Sequence, residues 1–409
     1  MTHFIILLLL FCKTYGKSVF VGTDQNTGEP LLYTLAPGAS SAIPFENPNL
    51  TTGGLSATAH IPDGSAILVG TLGDMTPLIY RLSGDTLDIV PTSLGTGNIT
   101  KVVVGGNGTA FMAGILTGGT VFGLKLPLED SEATQITFSP PPASSGSTIQ
   151  GIAVTPDGTA FFVGVTSVVF PMASSTPFIY RLPFGSTTAT AVPISLISQG
   201  NLVSAASDQY GRVTIVGSQL NPTASPLILV YSNGVLSQVT NSNGSGSGTL
   251  SDVSIAPNGT AFIAGGDSGL NEPILWTVAR DATTSNPISL SPTTSGSLVV
   301  VDVGLDGTVV TAGQNNMSQG IIYTLSNGSG VATGVSNPLS DAVVFETVAV
   351  DQYGFTLLPA RLAADNIPII YTVDRGASSA GLIPVDLPAG TSPFVDVAIQ
   401  IGPNRPFLR

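Results

Sequence analysis

The sequence predicts an all-β fold assembled from copies of one four-stranded antiparallel unit, and three recurring features predict it. A turn glycine recurs at Gly64, Gly108, Gly158, Gly211, Gly259, Gly307 and Gly354, at spacings of 44 to 53 residues. A small residue closes the strand that follows, at Gly70, Gly114, Gly164, Gly217, Gly265, Gly313 and Ala360. A third strand then carries an aromatic, at Tyr80, Phe122, Tyr180, Tyr231, Trp276, Tyr323 and Tyr371. A period of about 40 to 50 residues with several short strands per copy is the pattern of propeller blades. One such sheet cannot bury both faces alone, so the copies must stack on one another.

The grammar of the unit is clearest between Gly151 and Leu182. An inner strand runs into the turn Pro156–Gly158, a second strand TAFFVG ends on Gly164, and a third, FIYRL, spans Phe178–Leu182. Asp63-Gly64 and Asn107-Gly108 are strong hairpin pairs, since both residue types tolerate positive φ. The two ends complete the count. Ser18–Gly22 matches a second strand and Leu31–Leu35 a third, with no inner strand before them. Pro393–Asn404 reads as the missing inner strand and its turn. Joined, they predict an eighth blade and a ring closed by a C-terminal strand pairing with the N-terminal blade. Residues 17–409 are expected to form this single domain, without helices of useful length.

Ahead of it, residues 1–16 contain an unbroken apolar run, Phe4 to Cys12, followed by Lys13. The run is too short to span a bilayer and fits the core of a signal peptide, although no Lys or Arg precedes it. The protein is therefore expected outside the cytoplasm, secreted or at the cell surface. Loss of this leader would remove Cys12, the single cysteine. Disulfides, thiolate metal sites and a cysteine nucleophile are then excluded. With 12 basic against 25 acidic residues, net charge −13, the chain is ill suited to the phosphate backbone of nucleic acid or to an anionic membrane. Seven Asn-x-Ser/Thr triplets occur, and those at Asn107 and Asn258 are blade turns. A monomer is expected.

Aligned on their turns, the inner strands alternate. One face reads Thr58, Val102, Ile152, Ala205, Val253, Val301, Val348, then His60, Val104, Val154, Ser207, Ile255, Val303, Val350. It is mostly β-branched and suits the space between blades. The other face carries Ala57, Lys101, Gly151, Ser204, Asp252, Val300, Thr347, then Ala59, Val103, Ala153, Ala206, Ser254, Asp302, Ala349. Small or polar residues there suit a crowded axis.

The Pro-Asp-Gly turn, the TAFFVG strand and the FIYRL strand resemble the repeat of YVTN- and NHL-type propellers, over Ser18 to Asn404. The resemblance implies architecture and leaves activity open, because such repeats occur in binding proteins, lactonases and scaffolds. The Gly-, Ser-, Thr- and Asn-rich composition also resembles passenger domains of surface adhesins. The chain lacks the WD dipeptide and has no Gly-Gly pairs in the register of kelch blades. With a single Trp it also lacks the repeat of quinoprotein dehydrogenases.

Candidate chemistry centres on the axis. His60 is the one histidine outside the leader. It reads as a hydrogen-bonded core or channel residue before it reads as a general base. No G-x-S-x-G elbow, P-loop or dinucleotide fingerprint accompanies it. Asp252, Asp302 and Asp396 lie on inner strands, and Glu346 begins another. Carboxylates are excluded from such positions unless they are paired, hydrogen-bonded or metal-bound. Two roles are open for the three aspartates. They could ligate an axial divalent cation such as Ca²⁺, or they could be solvated in a channel or bonded to backbone N–H groups, with Lys101 as a partner across it. The main functional expectation is a non-enzymatic binding module presenting one face to a protein or glycan. The alternative is a propeller hydrolase or lyase using channel-mouth carboxylates around a cation. A third possibility is a scaffold assembling through its rim.

Overall fold

The computed structural model describes residues 17–399 apart from 24–27, 37–38, 46–52, 144–145, 169–173, 221–223, 242–246, 340, 365–366, 384 and 386–393. The leader therefore lies outside the described residues. Within them the chain is all-β with no helix. Four-stranded antiparallel units follow one another at residues 53–89, 97–139, 147–191, 200–238, 249–287, 297–335 and 343–383. These are units 2 to 8 below. Unit 1 combines Ser18–Thr23, Pro30–Leu35 and Ile43–Pro44 with Phe394–Ile399. The expected joining strand is present: Ser18 pairs with Ile399, Phe20 with Val397 and Val21 with Asp396.

Each inner strand contacts that of the next unit, and Phe394–Ile399 contacts both Ala349–Val350 and Gly53–His60. The inner strands thus form a closed cycle. Apolar side chains are shared in the same cyclic order. Ile67, Val69 and Ile79 of unit 2 pack with Met112, Phe122 and Leu124 of unit 3. At the far side, Leu357 and Ile370 of unit 8 pack with Phe20, Tyr33 and Val397 of unit 1. Among the described residues there is one such cluster at each of the eight junctions. The core is a ring of seams. The third-strand aromatics fill it: Tyr80, Phe122, Tyr323 and Tyr371 are fully buried or nearly so.

The repeat glycines divide into two kinds. Those of the first hairpin, from Gly64 to Gly354, have φ between 80° and 94°, the left-handed region predicted for them. Those closing the second strand have another cause. Every continuous inner strand carries a β-bulge opposite them, between Leu55 and Ala57 in unit 2 and between Ile149 and Gly151 in unit 4, for example. The bulge turns a carbonyl oxygen inward. A Cβ on Gly70, Gly114, Gly164, Gly217, Gly265 or Gly313 would lie 1.8–2.3 Å from that oxygen. Unit 8 has Ala360 at this position, and its inner strand breaks there into Val343–Phe345 and Ala349–Val350.

The sheets depart from strictly four-stranded blades in one respect. The segment following an outer strand pairs in parallel with the outer strand of the next unit. Thr137–Ser139 lies on Thr188–Thr190, Thr240–Asn241 on Thr284–Ser285, and Ser289–Ser291 on Val331–Thr333. Single bridges repeat the arrangement at Thr92–Ala133, Ser336–Ser379 and Val385–Ala42. These clasps fuse units 3 and 4 into one eight-stranded sheet and give units 6 and 7 a fifth strand. An outer strand is otherwise an open edge, and a parallel segment satisfies its free N–H and C=O groups.

Two outcomes follow. Gly164→Ala is expected to cost about 1–3 kcal/mol through overpacking. Gly185→Ala, at a positive-φ turn with open space around it, costs only about 1 kcal/mol. Urea titrations would compare them, and equal losses would contradict the bulge account. Truncation after residue 393 bares the edge of Ser18–Thr23 and should lower both Tm and monodispersity in light scattering. An unchanged truncated protein would mean that the C-terminal strand does not close the sheet.

Candidate functional site

An inner strand has a neighbour on one side only, so backbone N–H groups on its other edge face the axis. The aspartates answer this. The Asp252 Oδ2 accepts the N–H of Val301 in the next unit at 3.0 Å, and its Oδ1 accepts the hydroxyl of Ser204 in the preceding unit at 2.8 Å. The Asp302 carboxylate accepts Val350 N–H at 2.8 Å and Ser254 Oγ–H at 2.9 Å in the same sense. Asp396 accepts Thr58 N–H at 2.9 Å and the Thr347 hydroxyl. Each carboxylate therefore ties three consecutive units. Together they run from unit 5 through unit 8 and unit 1 to unit 2, across the chain's closing contact.

The equivalence of Asp252 and Asp396 comes from the bulge. Asp252 pairs with Ala264 and Asp396 with Val21, each immediately after the irregularity, which gives both the same aim. Asp302 stands two positions further along. Burial raises the pKa of all three, Asp302 and Asp396 to about 6, against the lowering effect of their N–H and hydroxyl donors. Lys101 occupies the same register position as Asp252 and Asp396, is exposed, and lowers both their pKa values through its charge.

The remaining candidates lie elsewhere. Glu346 occupies the break in the inner strand of unit 8, where its Oε1 accepts from Arg361 Nε at 2.7 Å. His60 ends the inner strand of unit 2, at the opposite end from the bulges, with Nδ1 3.2 Å from the Ser65 carbonyl oxygen. Burial lowers its pKa, and the carbonyls of Ser65, Ala398 and Lys17 offset this in part. The imidazole is neutral at physiological pH. Among the described residues no group of three or more His, Cys, Asp or Glu side chains could hold a metal ion. Backbone and hydroxyl donors of neighbouring units sit on the carboxylates of all three aspartates.

A cleft on the face where inner strands begin takes Gly146, Ser147, Ser167 and Ser175 from segments 139–147 and 166–176, the long loops where the sequence predicts an elaborated binding face. It spans units 3, 4 and 5, holds about 590 Å³, and is lined by Ser147, Thr148, Gln150, Asn201 and Ser218 with Ile115, Val165 and Leu220. Gln150 is the residue that the bulge of unit 4 extrudes. On the neighbouring inner strand, Lys101 follows the equivalent bulge by one residue. A second cleft of about 500 Å³, on the rim, is lined by Glu129, Asp130 and Glu132.

Neither a family model nor a curated protein matches the sequence. Solved structures do, at the level of fold. Dipeptidyl peptidase 4 of Porphyromonas gingivalis matches with TM-score 0.53 and 10% identity, over 90% of this chain and 59% of its own. Prolyl oligopeptidase B of Galerina marginata matches with TM-score 0.52 and 14% identity, over 86% and 51%. The oligogalacturonate lyase of Vibrio parahaemolyticus matches with TM-score 0.50 and 11% identity, over 88% and 97%. This chain thus spans between half and three-fifths of the two peptidases and nearly all of the lyase. The neighbours carry β-propeller domains, which agrees with the predicted class of fold. They correct the main functional expectation. Among the neighbours are peptidases, a puromycin hydrolase and a lyase, which favours the hydrolase-or-lyase alternative over a non-enzymatic binding module.

Two measurements bear on the axis. A carboxyl group whose pKa is raised on folding stabilises the fold fully below its unfolded value of 3.8, and that contribution is lost as pH rises through about 6. Unfolding free energy should therefore decline between pH 4 and pH 7, with a shallower slope in Asp302→Asn. An unchanged slope would exclude Asp302 as a source. Calcium and chelator should give the same melting curve, because the carboxylate oxygens already have donors. A calcium-dependent rise in Tm that Asp302→Asn abolishes would restore the axial cation.

Proposed function

We propose that the eight units form an eight-bladed β-propeller of YVTN/NHL-like repeats, exported as residues 17–409, that acts as a hydrolase or lyase on a glycan. The near end-to-end extent of the lyase match carries this reading. The peptidases are matched over about half their length, so a peptidase activity would call on regions of theirs that this chain does not cover. The face where inner strands begin is the reaction face. The side chains available for its chemistry are the neutral lining of the cleft, the exposed Lys101 and the Glu346–Arg361 pair.

The chemistry follows from what the staples leave over. Asp252, Asp302 and Asp396 spend their oxygens on backbone and hydroxyl donors, so they are poor general bases. Lys101 supplies positive charge at the mouth, suited to a substrate carboxylate or to an oxyanion that develops in elimination. Glu346 is the mouth carboxylate, oriented by Arg361.

The test is turnover by the full chain on a panel of oligosaccharides, with and without a divalent cation. Ultraviolet absorbance of unsaturated ends reports elimination, and new reducing ends report hydrolysis. Lys101→Met should lower kcat/KM at least tenfold, about 1.4 kcal/mol in the barrier, with Tm unchanged. Absence of turnover on every glycan under both conditions would overturn the reading.

A further inference from the structure

We infer that the outer strand of unit 5, Val235–Gln238, is the edge through which two copies of this chain pair, antiparallel and about a two-fold axis. This edge lacks the clasp that closes its counterparts. At four junctions the linker opens its clasp with one N–H: Thr137, Thr240, Ser289 and Ser336 donate to the carbonyls of Thr187, Thr283, Gly330 and Ser378 at 2.8–3.4 Å. In unit 4 the same register position is Pro193, which has no N–H to give. The outer-strand residues opposite a clasp, Ala133, Ala189, Ser285 and Ala332, are at most 2% exposed. Their register equivalent in unit 5, Leu236, is only half-buried. Val235 beside it is 64% exposed.

The free backbone groups follow from the ladder. Ser232 and Val235 flank the two-residue turn at Asn233 and Gly234, both at positive φ. Antiparallel pairing then alternates, so Val235 and Ser237 bond inward to the third strand, while Leu236 and Gln238 turn N–H and C=O outward. Val239 keeps the alternation, its N–H bonded to the Ile228 carbonyl at 3.0 Å. A second copy laid antiparallel, with Ser237 opposite Ser237, matches these groups. Leu236 of each copy then exchanges both backbone hydrogen bonds with Gln238 of the other. The edge holds no Lys, Pro or bulge of the kind that keeps edges apart.

Charge selects a second copy as the occupant. The chain has net charge −13, which opposes contact between most pairs of its surfaces. Between Arg181 and Asp252 the sequence holds two charged residues, Asp208 and Arg212, and they are 3% and 6% exposed. Unit 5 therefore brings no exposed charge to its edge, and two copies can meet there without setting acid against acid. The same patch serves both partners, so the assembly closes at two copies.

Sedimentation velocity on the full chain over a dilution series tests the pairing. A reversible monomer–dimer equilibrium is expected, shifted toward dimer by added salt as the repulsion between two acidic chains is screened. Val235→Glu should weaken dimerisation by about tenfold or more. Val331→Glu, at the equivalent position of a clasped strand and 47% exposed, should leave it unchanged. Both variants should keep the wild-type Tm. Under mild oxidation Ser237→Cys should cross-link to its counterpart in a second copy, above the wild-type background, whereas the clasped equivalent Thr333→Cys should not. A monomer at every concentration, the state expected from the sequence, overturns the inference and leaves the edge to an extended segment of another protein. A dimer that is indifferent to Val235→Glu, or that gives no Ser237→Cys cross-link, overturns it too, because the contact then lies elsewhere.

Discussion

Every inner strand in this molecule has one edge that no other strand can cover. These edges face inward, and their N–H groups need acceptors where space is scarce. The bulge and the axial carboxylates answer this one constraint. The bulge twists each inner strand and sets the side chain after it toward the next unit. In three units that side chain, or one two residues on, is an aspartate that reaches the neighbour's backbone. The glycine opposite the bulge is required because the displaced carbonyl occupies the place of a Cβ. Where Ala360 replaces it, the strand breaks and Glu346 turns to Arg361 instead. One local steric rule therefore reaches from the repeat pattern to the ionisable groups at the mouth.

Much of this was legible in the sequence. The turn glycines, the strand order and the pairing of Phe394–Ile399 with Ser18–Thr23 follow from residue types and spacing alone. The acids on inner strands were legible as anomalies, and their aim was not. Aligning strands by counting back from the turn makes Asp252 and Asp302 look like members of one cluster. In the structure each is tied to a different pair of neighbours. Ala360 stood out in the same alignment, but a strand break shows only when the carbonyl opposite is known. The cleft was legible only as two long segments, 139–147 and 166–176, and not as a set of lining side chains. Serines, threonines and amides are what turns between strands contain anyway, so the residues that line it carry no distinctive signal.

The division of labour among charged groups shapes the functional reading. The acids nearest the axis serve cohesion, since backbone and hydroxyl donors of neighbouring units occupy their oxygens. Elsewhere, Lys101 is exposed and an extruded glutamine borders a neutral cleft. The fold neighbours show that such a disc serves hydrolases and a lyase. They do so at 10% to 14% identity, so the chemistry has to be argued from this chain's own side chains.

The parallel clasps give the ring a direction, since each unit reaches forward to hold the outer strand of the next. Among the junctions whose linkers are fully described, the one from unit 4 to unit 5 has no such clasp: residues 192–199 run past Val235–Gln238 without pairing to it. The cycle of units consequently has a natural seam, away from the pairing of Ser18 with Ile399. Ser18 and Ile399 are direct partners, so the two ends of the described chain are adjacent. A gene rearranged to join them and to begin within 192–199 would keep every strand pairing of the described residues, its boundary moved to a joint that has no parallel clasp.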